Sequence, residues 1–252
     1  MAFSPLNHRL FVCAALAGCA VLAGCAGHTT ASNVPALGTP TSPQTRMLDA
    51  GAALIQQKPP IQAINAYLNG FHFYSGRMGE QMEAHHYCAV LSEDLIQCVI
   101  YDGDVQDAKL MGVEYIVSKA LFDRLPTKEK ALWHSHAHEV KSGQLIAPGL
   151  PQTAEHMLMQ RLVGTYGKTW HTWHTDQNKT LPVGVPQLMM GFTADGQANA
   201  AMVADRDERY GVSSEDRKRD RLDIEAPPID PAADAWQRSK AIQITDPTGH
   251  TH

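Results

Sequence analysis

The sequence predicts one α+β domain with a mainly antiparallel sheet and flanking helices. Segments with the β-branched and aromatic content of strands are mixed with segments of helical period, without a regular β-α-β order. Residues 84–91 and 95–101 are two such strand-like runs, and the short polar stretch between them is typical of a hairpin. We find no internal repeat, and residues 46–236 are ample for one domain but short for two.

Two helices are expected at the start of the domain. Residues 46–57 carry apolar side chains near helical spacing and end at a proline pair. Pro60 can open a second helix that runs through Tyr67 and is closed by Gly70. Residues 71–74 are then expected to be extended.

The rest of the domain continues this mixture. Further strands are predicted at 110–117, 168–174 and 186–192, and further helices after a cap at Thr127, over 151–166 with an end at Gly167, and over 199–210 with an end at Gly211. Residues 216–221 form a charge run that we expect to be a solvated face. Proline and aspartate dominate from residue 225, which predicts extended chain and a disordered tail over 237–252.

The N-terminal residues have the pattern of a lipoprotein leader. Residues 1–24 combine a basic start with an uncharged stretch that is short for a membrane span, as in a signal peptide. The phrase Leu-Ala-Gly-Cys that ends at Cys25 resembles a bacterial lipobox, whose cysteine is acylated; a second copy ending at Cys19 leaves too short an apolar core. We therefore expect lipidation at Cys25, a flexible tether over 25–45, and an outer-membrane location facing the periplasm.

Charge excludes one class of partner. The chain has a net charge of −5, and removal of the leader takes away one arginine and leaves −6. A mildly acidic protein of this kind is not expected to bind nucleic acid or to adhere electrostatically to anionic lipid. The expected membrane contact is therefore the N-terminal lipid.

Two cysteines remain after the anchor. A three-residue loop between the hairpin strands would place Cys88 opposite Cys98, within reach of a disulfide after a small shift. An oxidising envelope permits that bond. The alternative is a pair of buried thiols that fill space in the core, and the sequence leaves both open.

Eight of the thirteen histidines fall between residues 85 and 174, and seven of these eight lie in three short phrases rich in aromatic residues. In an extended segment His134, His136 and His138 would share one face, as ligands for Zn²⁺ or Fe²⁺ require, whereas Glu139 would point away unless the chain turns. His85 and His86 are adjacent and would face opposite sides of a strand. Histidines that are only hydrogen-bonded in the core are the competing interpretation.

Other reaction chemistries are not indicated. The sequence has no glycine-rich phosphate loop, no G-x-S-x-G elbow and no phrase with paired carboxylates. Ser135 lies between two histidines, but nothing in the sequence positions a base or an oxyanion hole for it.

Several ordered phrases resemble the oil-body-associated protein family across residues 64–236. They are FHFYSG, EAHHYC, QCVIYDG, GVEYI, LWHSH with EVKSG, TYGKTWHTW and PQLMM. The resemblance implies that family's fold and an association with lipid, but no reaction. The histidines that match the family pattern are His85, His86, His134, His136 and His171, whereas His138 and His174 do not match, so the resemblance favours His134 with His136 as the ligand pair.

Three functions are compatible with these observations. The favoured one is a non-enzymatic, lipid-anchored envelope domain that binds lipid or a partner. The alternative is a metal-dependent enzyme with Zn or Fe held by His134, His136 and one of His85, His86 or His171. A redox role for the cysteine pair is the weakest of the three.

Overall fold

Six antiparallel strands close into a barrel in the computed structural model, which describes residues 29–238 and 241–245. The described residues contain seven strands, of which all but β5 form the closed ring: β1 (Ala66–Tyr74), β2 (Arg77–Ser92), β3 (Leu95–Tyr101), β4 (Leu110–Val117), β5 (His134–Ser135), β6 (Tyr166–His171) and β7 (Gln187–Met190). Neighbours follow the order β1-β2-β3-β4-β6-β7, and β7 returns to β1. The short β5 pairs with the start of β6. The expected antiparallel sheet is therefore present, in a closed and more specific form.

Eight helices surround the barrel in the described part of the chain. They are α1 (Pro43–Ile55), α2 (Pro59–Gln62), α3 (Lys119–Asp123), α4 (Thr127–Lys130), α5 (Ala137–Lys141), α6 (Gln152–Leu162), α7 (Ala200–Tyr210) and α8 (Ser214–Asp220). The ends of α7 agree with the sequence: Asn199 accepts from two backbone N–H groups, and Gly211 adopts a left-handed conformation with φ of 59°. None of these helices has the length and apolar character needed to cross a membrane.

The hairpin of β2 and β3 has the register that the sequence predicts, with one difference. Cys88 lies opposite Cys98, and a disulfide joins the two strands. Ser92 pairs with Leu95, so the loop has two residues, and a register shift between Val90 and Ser92 absorbs the extra position.

The barrel interior has apolar ends and a polar middle. At one end Leu68, Cys88 and Ile116 belong to a cluster that also contains buried residues of α5 and α6. At the other end Tyr74 packs with Met82 and Met189. The inward-facing positions between these ends, two residues apart on each strand, carry the polar side chains described below.

Two element predictions are wrong in the same way. Residues 66–70 belong to β1, and the second helix stops at Gln62. The helix predicted over 151–166 ends at Leu162, because Tyr166 and Gly167 enter β6. Glycine next to apolar residues indicates a helix end, but in both places it is a strand glycine on the inner face of the barrel.

Two smaller predictions also need correction. Thr127 is the first residue of α4 and does not cap it, since Pro126 occupies the cap position. Most of the charge run lies in helix α8 and is exposed. Arg221, which ends the run and caps the helix, is buried. The Arg221 guanidinium donates to the carbonyl oxygens of Val140 and Leu145, which explains how a cation is held there.

The N-terminal tether and the C-terminal tail were expected to be free, but residues of both that the structure describes make contacts with the domain. Val34 is buried, and Asp102 accepts hydrogen bonds from Ser32 and from the backbone of Asn33. Near the other terminus Gln243 bonds the backbone of Leu188 through both its oxygen and its nitrogen. The leader, Cys25 and the last seven residues lie outside the described residues.

Candidate metal centre

Seven ionisable side chains meet in the polar middle of the barrel, and all are buried. They come from β1 (His72), β2 (His86), β4 (Glu114), β5 (His134), β6 (His171) and the start of α5 (His136 and Glu139). The strand residues are together because each occupies an inward-facing position at the same height in a closed ring.

The Glu114 carboxylate is at the centre of this cluster. One of its oxygens, Oε2, lies 3.0 Å from Nε2 of His86. The other, Oε1, lies 3.3 Å from Nε2 of both His134 and His136. Three imidazoles from two separate parts of the chain therefore point their Nε2 atoms at one buried carboxylate.

Helix α5 brings a second carboxylate to the cluster. The chain leaves the extended conformation after Ser135, and His136 has helical φ and ψ angles of −86° and −2°. Residues three apart share a helix face, so Glu139 comes back to 3.9 Å from Nε2 of His136. The expectation that Glu139 points away is wrong because the chain turns, and for the same reason His138 leaves the cluster and faces Asp195 at 4.0 Å.

Two glycines leave room for the cluster. A Cβ atom on Gly167 would lie 2.0 Å from Oε1 of Glu114 and 2.8 Å from Nε2 of both His134 and His136. A Cβ on Gly191 would lie 2.9 Å from the Glu139 carboxyl carbon. Any side chain at Gly167 would occupy the space in which the three histidines meet Glu114.

Hydrogen bonding fixes the tautomer of His136. The Thr165 hydroxyl donates to the carbonyl oxygen of Leu162 at 2.7 Å, so it can only accept from Nδ1–H of His136, which lies 2.8 Å away. A neutral His136 then turns the lone pair of Nε2 toward the Glu114 carboxylate. Two acceptors face each other across 3.3 Å unless a proton or a metal ion lies between them.

Several imidazoles in this layer lack hydrogen-bond partners among the described residues. Both ring nitrogens of His86, His134 and His171 are without one, as is Nδ1 of His72, because the short approaches to Glu114 do not have hydrogen-bond angles. Buried polar atoms are nearly always paired, and each exception costs about 1–3 kcal/mol. A metal ion accepts lone pairs, so one ion could serve as the partner of several of these nitrogen atoms.

The pKa shifts of the layer reflect burial and the contacts among its side chains; burial acts to lower the pKa of His134, but the contact with Glu114 outweighs it and raises that pKa. Burial acts to raise the pKa of Glu114, but the contacts with His134, His136 and His86 outweigh it and hold the pKa well below its usual value. Burial raises the pKa of Glu139. Burial, with help from His86, lowers the pKa of His72 well below its usual value, so this imidazole is neutral and available as a ligand.

The structure gathers the ligand atoms into two overlapping sets. His72, Glu114 and His134 offer atoms within 4.8 Å of one another, and so do His134, His136 and Glu139. Imidazole and carboxylate are the ligands that Zn²⁺ and Fe²⁺ use in proteins. A cavity of about 10 Å³ adjoins both sets and has room for one water molecule.

Two of the histidines named from the sequence have other surroundings. His85 faces the outside of the barrel wall, where Nδ1 lies 2.8 Å from the hydroxyl of Tyr67, and burial lowers its pKa to about 4. His171 faces inward, with its ring 5.5 Å from that of His72, but it belongs to neither ligand set. Burial, with His174 nearby, lowers the pKa of His171 to about 3.

Sequence reasoning missed His72 and Glu114 and placed Glu139 incorrectly. Glu114 could have been found, because it is an acidic residue on the apolar face of an otherwise strand-like run, LMGVEYIV. His72 lies between two phenylalanines in the same way. An ionisable residue at a core position of a strand is the signal that connects them.

Comparisons with known proteins identify the family. A family model described as "Protein of unknown function (DUF1264)" matches residues 58–225, and no solved structure matches. Oil body-associated protein 1B of Arabidopsis thaliana is 38% identical over 224 residues, which cover 88% of this chain and 93% of that protein. Oil body-associated protein 1A of Zea mays is 40% identical over 220 residues, which cover 86% and 92%. This chain therefore belongs to the oil body-associated protein family.

Proposed function

We propose that this protein is a lipid-anchored, non-enzymatic domain whose barrel binds a divalent transition-metal ion, Zn²⁺ or Fe²⁺. The observation that carries the metal is the pairing of His136 with Glu114. Thr165 directs the Nε2 lone pair of His136 at the carboxylate, and a cation between them turns two opposed acceptors into two ligands.

The competing function is a purely structural polar layer. That layer would bury two carboxylates beside several imidazole nitrogens that have no hydrogen-bond partner among the described residues. An ion supplies the missing partner for most of them. The unpaired imidazole nitrogens therefore support metal binding over a polar layer that holds no ion.

The size of the cavity supports a role in binding and stabilisation. A space of about 10 Å³ beside the ligands admits a water molecule and no organic substrate. The bound ion would link β1, β2, β4, β5 and α5, and it would stabilise the barrel by about 4 kcal/mol at a thousandfold excess over its dissociation constant.

Elemental analysis tests the metal. The full-length chain, purified in detergent without an affinity tag, should retain at least one equivalent of Zn or Fe after dialysis, and a strong chelator should lower its unfolding temperature. His136→Ala should lose metal, whereas His156→Ala, on the partly exposed face of α6, should keep it. Wild-type protein that neither retains nor takes up a divalent ion would overturn the proposal.

The anchor is proposed at Cys25, with the protein held at an outer membrane and facing the periplasm. The disulfide between Cys88 and Cys98 supports an oxidising compartment of this kind. The names of the plant relatives associate them with oil bodies, which supports a lipid surface as the setting of this domain as well.

Cell fractionation tests the anchor. Cys25→Ala should move the protein from the membrane fraction to the soluble fraction, because no acyl chain can then be attached. Cys19→Ala is the control and should stay in the membrane fraction. A Cys25→Ala protein that remains in the membrane would show that the domain, not the lipid, makes the contact.

A further inference from the structure

The two oxygens of Glu114 face different histidines. Oε2 lies 3.0 Å from His86, while Oε1 lies 3.3 Å from both His134 and His136. A carboxylate that binds one ion usually directs one oxygen, or both together, at a single point. This carboxylate instead has a separate set of imidazoles on each oxygen, which is the arrangement of a bridging ligand.

The other candidate ligands lie on the two sides of the Glu114 carboxylate. On the Oε2 side the ring of His72 lies 4.9 Å from the ring of His86, and Nδ1 of His72 has no hydrogen-bond partner in the described part of the chain. On the Oε1 side Glu139 completes a set with His134 and His136. Each side therefore has nitrogen and oxygen donors for one ion, and His134, which also lies within 4.8 Å of His72 and Glu114, is close to both sides.

We propose that the barrel holds two divalent transition-metal ions bridged by Glu114. One ion is bound by His134, His136, Glu139 and Oε1 of Glu114, and the other by His72, His86 and Oε2. Bridged pairs of this kind have their ions about 3.5–4 Å apart. This inference rests on the proposed function and adds the number of ions and the division of ligands.

The cavity next to the cluster is consistent with a pair. It is bounded by His72 and His86 from one set, by His136 and Glu139 from the other, and by Glu114 between them. Its volume of about 10 Å³ fits one water molecule or hydroxide in contact with both ions. A hydroxide there would add a negative charge to the two carboxylates and reduce the buried positive charge.

Metal stoichiometry tests the inference. The full-length chain, stripped with a chelator and equilibrated with Zn²⁺, should bind two equivalents. His86→Gln should reduce this to one, because it removes a ligand from the Oε2 side only. Glu139→Gln should also reduce it to one, from the other side, and His156→Ala should keep two.

A measurement on the wild-type chain makes the test independent of how the variants fold. Loaded with Cu²⁺, two ions at this separation should give a spin-coupled electron paramagnetic resonance spectrum with a half-field signal. One equivalent of zinc with an uncoupled copper spectrum would overturn the pair and leave the proposed function intact. No bound ion of any kind would overturn the proposed function itself.

Discussion

At the scale of single residues, the cluster depends on a position that has no side chain. Gly167 on β6 lies directly against Glu114, His134 and His136, and a methyl group there would overlap all three. The atoms it meets are the ends of side chains, so the barrel can survive the change while the ligands are displaced.

We therefore expect Gly167→Ala to lower metal affinity at least tenfold and to reduce the free energy of unfolding by about 1–3 kcal/mol. Gly79→Ala is the matched control, because it is also a strand glycine but has nothing within 4 Å of the added methyl group. Equilibrium dialysis and urea unfolding measure the two effects. Unchanged metal binding in Gly167→Ala would contradict the placement of the ligands.

A second residue-scale expectation concerns Asp176 and pH. Burial raises the pKa of this carboxyl from its ordinary value of 3.8, even though the Tyr74 hydroxyl donates to it at 2.7 Å. The folded protein therefore holds this proton more tightly than the unfolded chain, and the contribution of Asp176 to stability falls as pH rises from 3.8 through the folded-state pKa.

Asp176→Asn isolates this contribution, since asparagine does not titrate. The stability of the wild type minus that of the variant should decrease with rising pH across that window and be constant on either side of it. Urea unfolding at a series of pH values gives the difference. An increase with pH would mean that the carboxyl pKa is depressed in the folded state.

At the scale of elements, helix α7 is fixed to the barrel by one buried cation. Arg206 is fully buried and donates to the side chain of Asn69 on β1, to the carbonyl oxygen of Gln144, and to Ser214. It also lies 4.7 Å from the centre of the Phe71 ring.

Removal of this guanidinium should be costly, because its buried acceptors would be left unpaired. We expect Arg206→Met to lower the free energy of unfolding by about 3–5 kcal/mol. Arg219→Met on α8, where the arginine side chain is 67% exposed, should change it by less than about 0.5 kcal/mol. Equal effects of the two substitutions in urea unfolding would show that Arg206 does not fix α7.

Local sequence patterns predict some of the helices and strands correctly and others incorrectly. The hairpin, β4 and α7 follow from alternation, capping residues and turn chemistry within a few positions, and all were predicted. A helix was predicted through Tyr67 with its end at Gly70, because the register that places residues 66–70 beside β2 is set by residues up to 22 positions away. Barrel closure depends on β4 pairing with β6, which no local pattern encodes.

The residues of the candidate site were likewise predicted only in part. His86, His134, His136 and His171 were named because histidines are conspicuous in the sequence, whereas the acidic centre of the cluster at Glu114 was not. The alternation of β4 marks Glu114 as an acidic residue on a buried face, but its contact with the histidines of the other strands follows only from closure of the ring. Glu139 was placed wrongly because a turn after a two-residue strand has no distinct signal.

At the scale of the whole molecule, the disulfide connects stability to the redox environment. The Cys88–Cys98 bridge closes a short loop within the barrel wall, and its two residues belong to the main apolar cluster. Reduction should lower the free energy of unfolding by about 2–4 kcal/mol.

Urea unfolding with and without a reducing agent measures this. The doubly substituted Cys88→Ala, Cys98→Ala protein should be insensitive to the reducing agent and should resemble the reduced wild type. A wild type whose unfolding is the same under both conditions would mean that the bridge contributes nothing to stability.

The closing contact between β4 and β6 also governs how fast the interior can exchange its contents. Six consecutive residue pairs, from Gly112 with His171 to Val117 with Tyr166, seal the ring at this point. An ion in the layer could pass through this wall only when the two strands separate, and such an opening costs more than the fraying of a loop or a terminus. Metal binding would then accompany folding. The folded protein would release its ions slowly, so its metal content would not follow rapid changes in the free metal concentration.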